Sequence, residues 1–144
     1  MKCTVIIDEE REEETVIYAH SYSDSVKEIE RIARHGNAEL VGYDESGNIY
    51  TVPINEILYF SSENGKVFAI TAEKKLKTKE RLYSLEEMLG NRFIKINQSC
   101  IANLDGIEKF HVSLGAALKV VFKNGNADYV SRRQLKNVKN KLGI

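Results

Sequence analysis

The side chains best equipped for chemistry fall in three short stretches that the sequence pattern places in turns or at a helix start. Arg132 and Arg133 follow Ser131 in the first turn of the last predicted helix. Asn97-Gln98-Ser99 follow a predicted strand at Phe93–Ile96, and the loop Ser61–Lys66 holds Asn64-Gly65 and ends on Lys66. A guanidinium can donate two parallel hydrogen bonds to guanine O6 and N7, and a carboxamide can bond bidentately to adenine. Ammonium and hydroxyl groups suit phosphates, where they carry no sequence information. Each stretch also has a plainer reading: surface arginines, an amide satisfying its own turn, or a simple Asn-Gly hairpin. Lys74, Lys75, Lys77 and Lys79 form a basic alternation that could face phosphates or protect an edge strand from aggregation.

Other chemistries find no support. His20, His35 and His111 lack metal-ligand spacing such as HExxH, and the two cysteines, Cys3 and Cys100, form no CxxC pair. No Ser-His-Asp or Cys-His arrangement and no phosphate-cradling glycine loop is visible. Glu86-Glu87 suits a helix start and is not a catalytic dyad. The expectation is therefore a protein that is not an enzyme and uses no metal or cofactor.

The elements that must position these groups follow from hydrophobic periodicity. Cys3–Ile7 and Thr15–Ala19 read as strands around the acidic stretch Asp8–Glu14. Ser25-x-x-Glu28 has the form of a capping box; Val26, Ile29, Ile32 and Ala33 follow at helical spacing, and Gly36 can close the helix. Residues 1–36 thus read as an acidic β-β-α segment. From residue 37 onward the period changes. Strands are predicted at Glu39–Tyr43, Ile49–Val52, Ile57–Phe60, Val67–Thr71, Leu76–Lys79, Phe93–Ile96, Ile107–Val112, Ala117–Phe122 and Ala127–Val130. Ser84-x-x-Glu87 and Ser131-x-x-Gln134 predict two further helix starts; the first helix ends at Gly90, with a start nearer Glu80 as the alternative. Short strands, hairpin turns and few helices argue for a mainly β, α+β fold with antiparallel sheets.

A net charge of zero hides a split. Residues 1–46 carry 5 basic and 12 acidic side chains; residues 47–144 carry 16 and 9. Such asymmetry points to a polyanionic partner for the basic part, or simply to a solvated acidic segment. The apolar runs are too short to span a bilayer or to form a signal peptide, so the cytoplasm is the expected compartment.

Residues 92–104, Arg-Phe-Ile-Lys-Ile-Asn-Gln-Ser-Cys-Ile-Ala-Asn-Leu, resemble the central signature of the LytTR family, F-x-[RK]-[IVC]-x-x-S-x-[IV]-[VA]-N, with Phe93, Lys95, Ser99, Ile101, Ala102 and Asn103 in place. Glu56–Phe60 looks like that family's first core strand. Leu82, Leu85 and Leu89 look like its helix, and Phe122–Gly125 and Val130–Arg133 like its closing hairpin and final motif. The order agrees over nearly three-quarters of the chain.

The resemblance implies an elongated arrangement of small antiparallel sheets with short helices in residues 37–144. It implies a bacterial transcription regulator whose loops read successive major grooves of double-stranded DNA. It assigns base contact to Arg133 and Gln98, with Lys66, Asn64 and Asn97 as further candidates. Lys95, Ser99, Arg132 and Lys136 are expected at phosphates, and Asn103 inside the fold. Direct-repeat promoter sites, occupied by a homodimer or by tandem protomers, are the implied target. The chain is similar to short members without a phosphoacceptor receiver domain, which implies a small membrane protein as a possible regulator. Residues 1–36 would then serve dimerisation or regulation. The alternative is a protein-interaction scaffold with no direct DNA reading.

Overall fold

The computed structural model describes residues 1–35 and 38–144. The chain divides into two compact units, Met1–Gly36 and Asn37–Ile144.

In the first unit one helix forms, α1 (Asp24–His35). Ser23 caps it in place of the expected Ser25: its hydroxyl accepts from the Val26 N–H at 3.4 Å. The two strands expected at 3–7 and 15–19 do not form; no ladder joins them. A lone two-stranded hairpin is marginal in water, and here six carboxylates occupy the connection. Val5, Ile6, Ile7, Val16 and Tyr18 are left exposed. Gly36, expected to end the helix, and the side chain of His35 lie outside the described residues.

The second unit is built on two antiparallel sheets. Its elements are β1 (Glu39–Tyr43), β2 (Ile49–Pro53), β3 (Tyr59–Glu63), β4 (Lys66–Ile70), β5 (Lys75–Thr78), α2 (Leu82–Met88), β6 (Phe93–Asn97), β7 (Cys100–Asn103), β8 (Ile107–Val112), β9 (Leu118–Phe122), β10 (Ala127–Tyr129) and α3 (Arg132–Leu142). The larger sheet has the order β2-β1-β5-β4-β3-β7-β6, the smaller β10-β9-β8. Single 3-10 turns at Ile54–Glu56 and Leu104–Gly106 lead into β3 and β8. Among the described residues no helix is long and apolar enough to cross a membrane.

Both faces of the larger sheet are used, but at different places. Phe60, Val67, Ala69, Leu76 and Ile101 pack on one face with Leu85 of α2. Ile94, Ile96, Cys100 and Ala102 pack on the other against Leu118, Val120 and Phe122 of β9 and Val138 of α3. β7 is therefore buried on both sides, and its run Cys100-Ile101-Ala102 shows no polar alternation, as a strand covered twice must. At roughly 25 cal/mol per Å² of apolar area, each fully buried Leu, Ile or Phe contributes about 1.5–3 kcal/mol.

Several strand limits differ from the sequence reading by one to three residues, and β7 was not among the expected strands. β3 runs on to Glu63 and β4 starts at Lys66, so the expected loop Ser61–Lys66 contracts to Asn64-Gly65. Both residues have positive φ, 52° and 76°, the signature of a type I′ hairpin turn whose twist matches the strands. The expected Ser84 cap also fails: α2 starts at Leu82 with Arg81 at its N-cap and no side-chain cap bond. Ser131 does occupy the N-cap of α3, but its hydroxyl forms no cap bond.

One buried amide fixes the β3–β7 pair. Asn103 is 2% exposed. Its Nδ2 donates to the Ile57 carbonyl at 2.8 Å, its Oδ1 accepts from the Asp105 N–H at 3.0 Å, and its own N–H donates to the Leu58 carbonyl at 2.9 Å. The Asn103→Ala change removes both side-chain bonds and leaves a carbonyl and an N–H without partners. It should cost about 1–3 kcal/mol, read as a lower urea midpoint with an unchanged m-value. An unchanged midpoint would show that the amide does not hold the strands.

Candidate nucleic-acid interface

Antiparallel register decides which turns meet. β3 runs toward Glu63, β7 runs the opposite way from Cys100, and Ser61 sits opposite Cys100. The β3–β4 turn and the β6–β7 turn therefore lie at the same end of the sheet. The Ser62 N–H donates to the Ser99 carbonyl at 2.8 Å, joining them directly. α3 starts at this end as well, because the Ser131 N–H donates to the Ile96 carbonyl at 2.8 Å.

A bulge in β6 shapes the turn. Lys95 pairs with Ile101 but Asn97 pairs with Cys100, so Ile96 is the extra residue. An extra residue bends its strand and re-aims the side chains beyond it. Here it keeps Ile96 fully buried while Gln98 and Ser99 project as an exposed turn.

The result is an open cleft of about 580 Å³ lined by Lys95, Asn97, Gln98, Ser99, Ser131, Arg132, Arg133 and Gln134. Six of the expected contact residues are thus brought together from two distant stretches of sequence. Lys66 and Asn64 are exposed on the adjoining turn rather than in the cleft. Lys136 is exposed one helical turn beyond Arg132 and Arg133, on the same side of α3. Ser131 and Gln134, which the sequence marked only as a cap pair, also line the cleft.

The electrostatics of this end are set by where its acids go. Glu63, the one acid of the β3–β4 turn, is held at 2.7 Å by Lys75. That ammonium also lies 4.5 Å above the Phe68 ring on the open face of the sheet. Lys95 sits 3.8 Å from the Glu86 carboxylate of α2, so part of its charge is answered within the fold. Among the described residues no carboxylate pairs with Lys66, Arg132 or Arg133. The free N–H groups of the first turn of α3 add partial positive charge there. Behind the turn, burial and the neighbouring Asp128 push the Cys100 thiol well above the ordinary range. It stays protonated and serves as a small apolar side chain rather than a nucleophile.

Two expected contacts carry structural duties. Asn64 supplies the left-handed conformation of the I′ turn. Asn97 uses both ends of its amide: Nδ2 donates to the Tyr129 carbonyl and Oδ1 accepts from the Ser99 N–H, each at 2.9 Å. In this arrangement Asn97 braces the turn against the end of β10, and Gln98 is the amide it presents. The Asn97→Ala change should lower stability by about 0.5–1.5 kcal/mol and speed hydrogen exchange at the Ser99 amide. Unchanged stability and exchange would show that these two bonds do not brace the turn.

Comparison with known proteins identifies the family and the fold. Residues 47–143 match the family of the LytTr DNA-binding domain. A protein of Staphylococcus aureus (strain NCTC 8325 / PS 47), described as an HTH-type transcriptional regulator, is 33% identical over 147 residues, covering 100% of this chain and 99% of its own. One of the bovine strain RF122/ET3-1 with the same description is 38% identical over 105 residues, 73% of this chain and 71% of its own. Among solved structures, the LytTr DNA-binding domain of a protein from Bacillus cereus, described as a methyl-accepting/DNA response regulator, superposes with a TM-score of 0.70 at 21% identity. It covers 76% of this chain and 100% of that one, which shows a shared fold. The helix-turn-helix in the relatives' description has no counterpart among the described residues, where five strands separate α2 from α3. The chain belongs to the LytTr DNA-binding domain family.

Proposed function

We propose that this protein is a sequence-specific transcription regulator that reads the major grooves of duplex DNA from turns and a helix start at one end of its larger sheet. Arg133 at the start of α3 and Gln98 in the β6–β7 turn read base edges, with the Asn64–Lys66 turn as the third reading element. Ser99, Arg132, Lys95 and Lys136 hold phosphates. The single observation that carries this reading is the cleft that gathers Gln98, Ser99, Arg132 and Arg133 beside the β3–β4 turn, with no acid among the described residues paired to either arginine. A groove-reading surface needs planar donors for bases and unneutralised cations for phosphates on one side. Two protomers would occupy direct repeats. Residues 1–36 would serve their association, a role that suits the exposed Val5, Ile6, Ile7, Val16 and Tyr18.

The test is binding to a duplex recovered by selection from a random pool, set against an unrelated duplex. The Arg133→Ala and Gln98→Ala changes should each weaken the selected duplex by about 1–3 kcal/mol and leave the unrelated one nearly unchanged. Arg132→Ala should weaken both equally. If no duplex is enriched and none binds at low salt, the scaffold reading takes its place.

A further inference from the structure

The row of contact elements does not end at the β3–β4 turn. β5 lies next to β4 and runs toward the same end of the sheet, with Thr78 opposite Val67. One residue further, Lys79 comes level with Lys66. The chain then passes through Glu80 to Arg81, at the start of α2. Thr78 is 4% exposed, and its Oγ1 donates to the Glu80 carbonyl, so the exit from the strand is fixed. Lys79 and Arg81 are both exposed. The Lys79 stem rests against the sheet with its ammonium 5.5 Å from the centroid of the Tyr43 ring. Among the described residues neither cation is paired with a carboxylate.

We propose that Lys79 and Arg81 form a fourth, sequence-independent contact that anchors the DNA backbone beyond the β3–β4 turn. The proposal rests on the DNA-reading assignment above and extends it. Adjacent strands lie ~4.8 Å apart, so the four steps from β6 to β5 span ~19 Å. That is well within one ~34 Å turn of the duplex, so all four elements can meet the same face without bending it. The phosphate strand that passes Lys66 passes Lys79 and Arg81 next. Next in the sheet, β1 runs antiparallel to β5 with Tyr43 opposite Lys77, so its first residue at this end is an acid, Glu39. Lys75 and Lys77 lie further back along β5, and Lys75 is occupied by Glu63.

The experiment is a salt series on the full chain, with the selected duplex and the unrelated duplex as probes. Each phosphate contact removed should flatten the slope of log affinity against log salt by about 0.9. The Lys79→Ala/Arg81→Ala double variant should therefore lose about twice that, with both probes weakened by the same factor and their ratio kept. Lys77→Ala is the control, and it should leave the slope as in the parent. Circular dichroism confirms that the variants fold. A parental slope in the double variant, or an equal flattening in Lys77→Ala, overturns the proposal. Failure of the parent chain to bind either duplex would instead defeat the DNA-reading assignment, a separable result.

Discussion

The register of β3 against β7 is the constraint on which the rest of the second unit depends. Tyr59 opposite Ala102 and Ser61 opposite Cys100 place Phe60 and Ile101 in one core and Cys100 and Ala102 in the other. A slip of one residue would exchange every one of these faces. The same register brings the β6–β7 turn against the β3–β4 turn, so the arrangement of the contact residues follows from core packing. The Asn103 amide pins the opposite end of the strand pair, where an unmet carbonyl would cost more than the bond gains. A buried polar group here specifies position, while apolar contacts supply most of the stability.

Much of the fold was legible in the sequence, and the failures have physical causes. Strands with one solvated face, such as β1 and β2, show clear alternation and were found within a residue. β7 carries no such alternation because both its faces are covered. Only the resemblance to a family signature singled out its residues. Capping boxes were poor guides: Ser25 and Ser84 lie inside their helices, and Ser131 takes the cap position without its bond. The S-x-x-E spacing recurs by chance within helices, and hydrogen-bond geometry decides its use. The N-terminal strands had the right composition but no third strand to pair with, and composition alone cannot supply one.

The residues that gather in the cleft were legible in identity but not in duty. Gln98 and Asn97 are adjacent amides in one turn, and only the family resemblance ranks Gln98 above Asn97 as a contact. The structure adds a physical difference, since the Asn97 side chain reaches the Tyr129 carbonyl, a partner from a distant strand. Likewise the sequence shows Glu63 as an acid beside candidate DNA-facing residues. Only the folded arrangement shows Lys75 holding that carboxylate over the sheet. An exposed ion pair of this kind adds little to stability, about 0–1 kcal/mol. Its value lies in where it leaves the negative charge.

Under the proposed function, these features would let turns do what a recognition helix does elsewhere. A side chain on a mobile loop must give up conformational freedom on binding, at about 0.5–1.5 kcal/mol per immobilised side chain in addition to the backbone. Here the backbone is already ordered. The β3–β4 turn is a two-residue I′ hairpin, the β6–β7 turn is braced by Asn97, and the start of α3 is tied to β6 through Ser131. Only the tips of Gln98, Arg133 and Lys66 remain to be ordered, which is the condition under which a few polar groups on a rigid scaffold discriminate well. A sheet end also offers several such elements at strand spacing, whereas a single helix offers one line of residues. The open face of the lysines on β5 then becomes intelligible. It neutralises Glu63 at one end and extends the row of cations at the other, and neither duty requires that the whole strand touch the ligand.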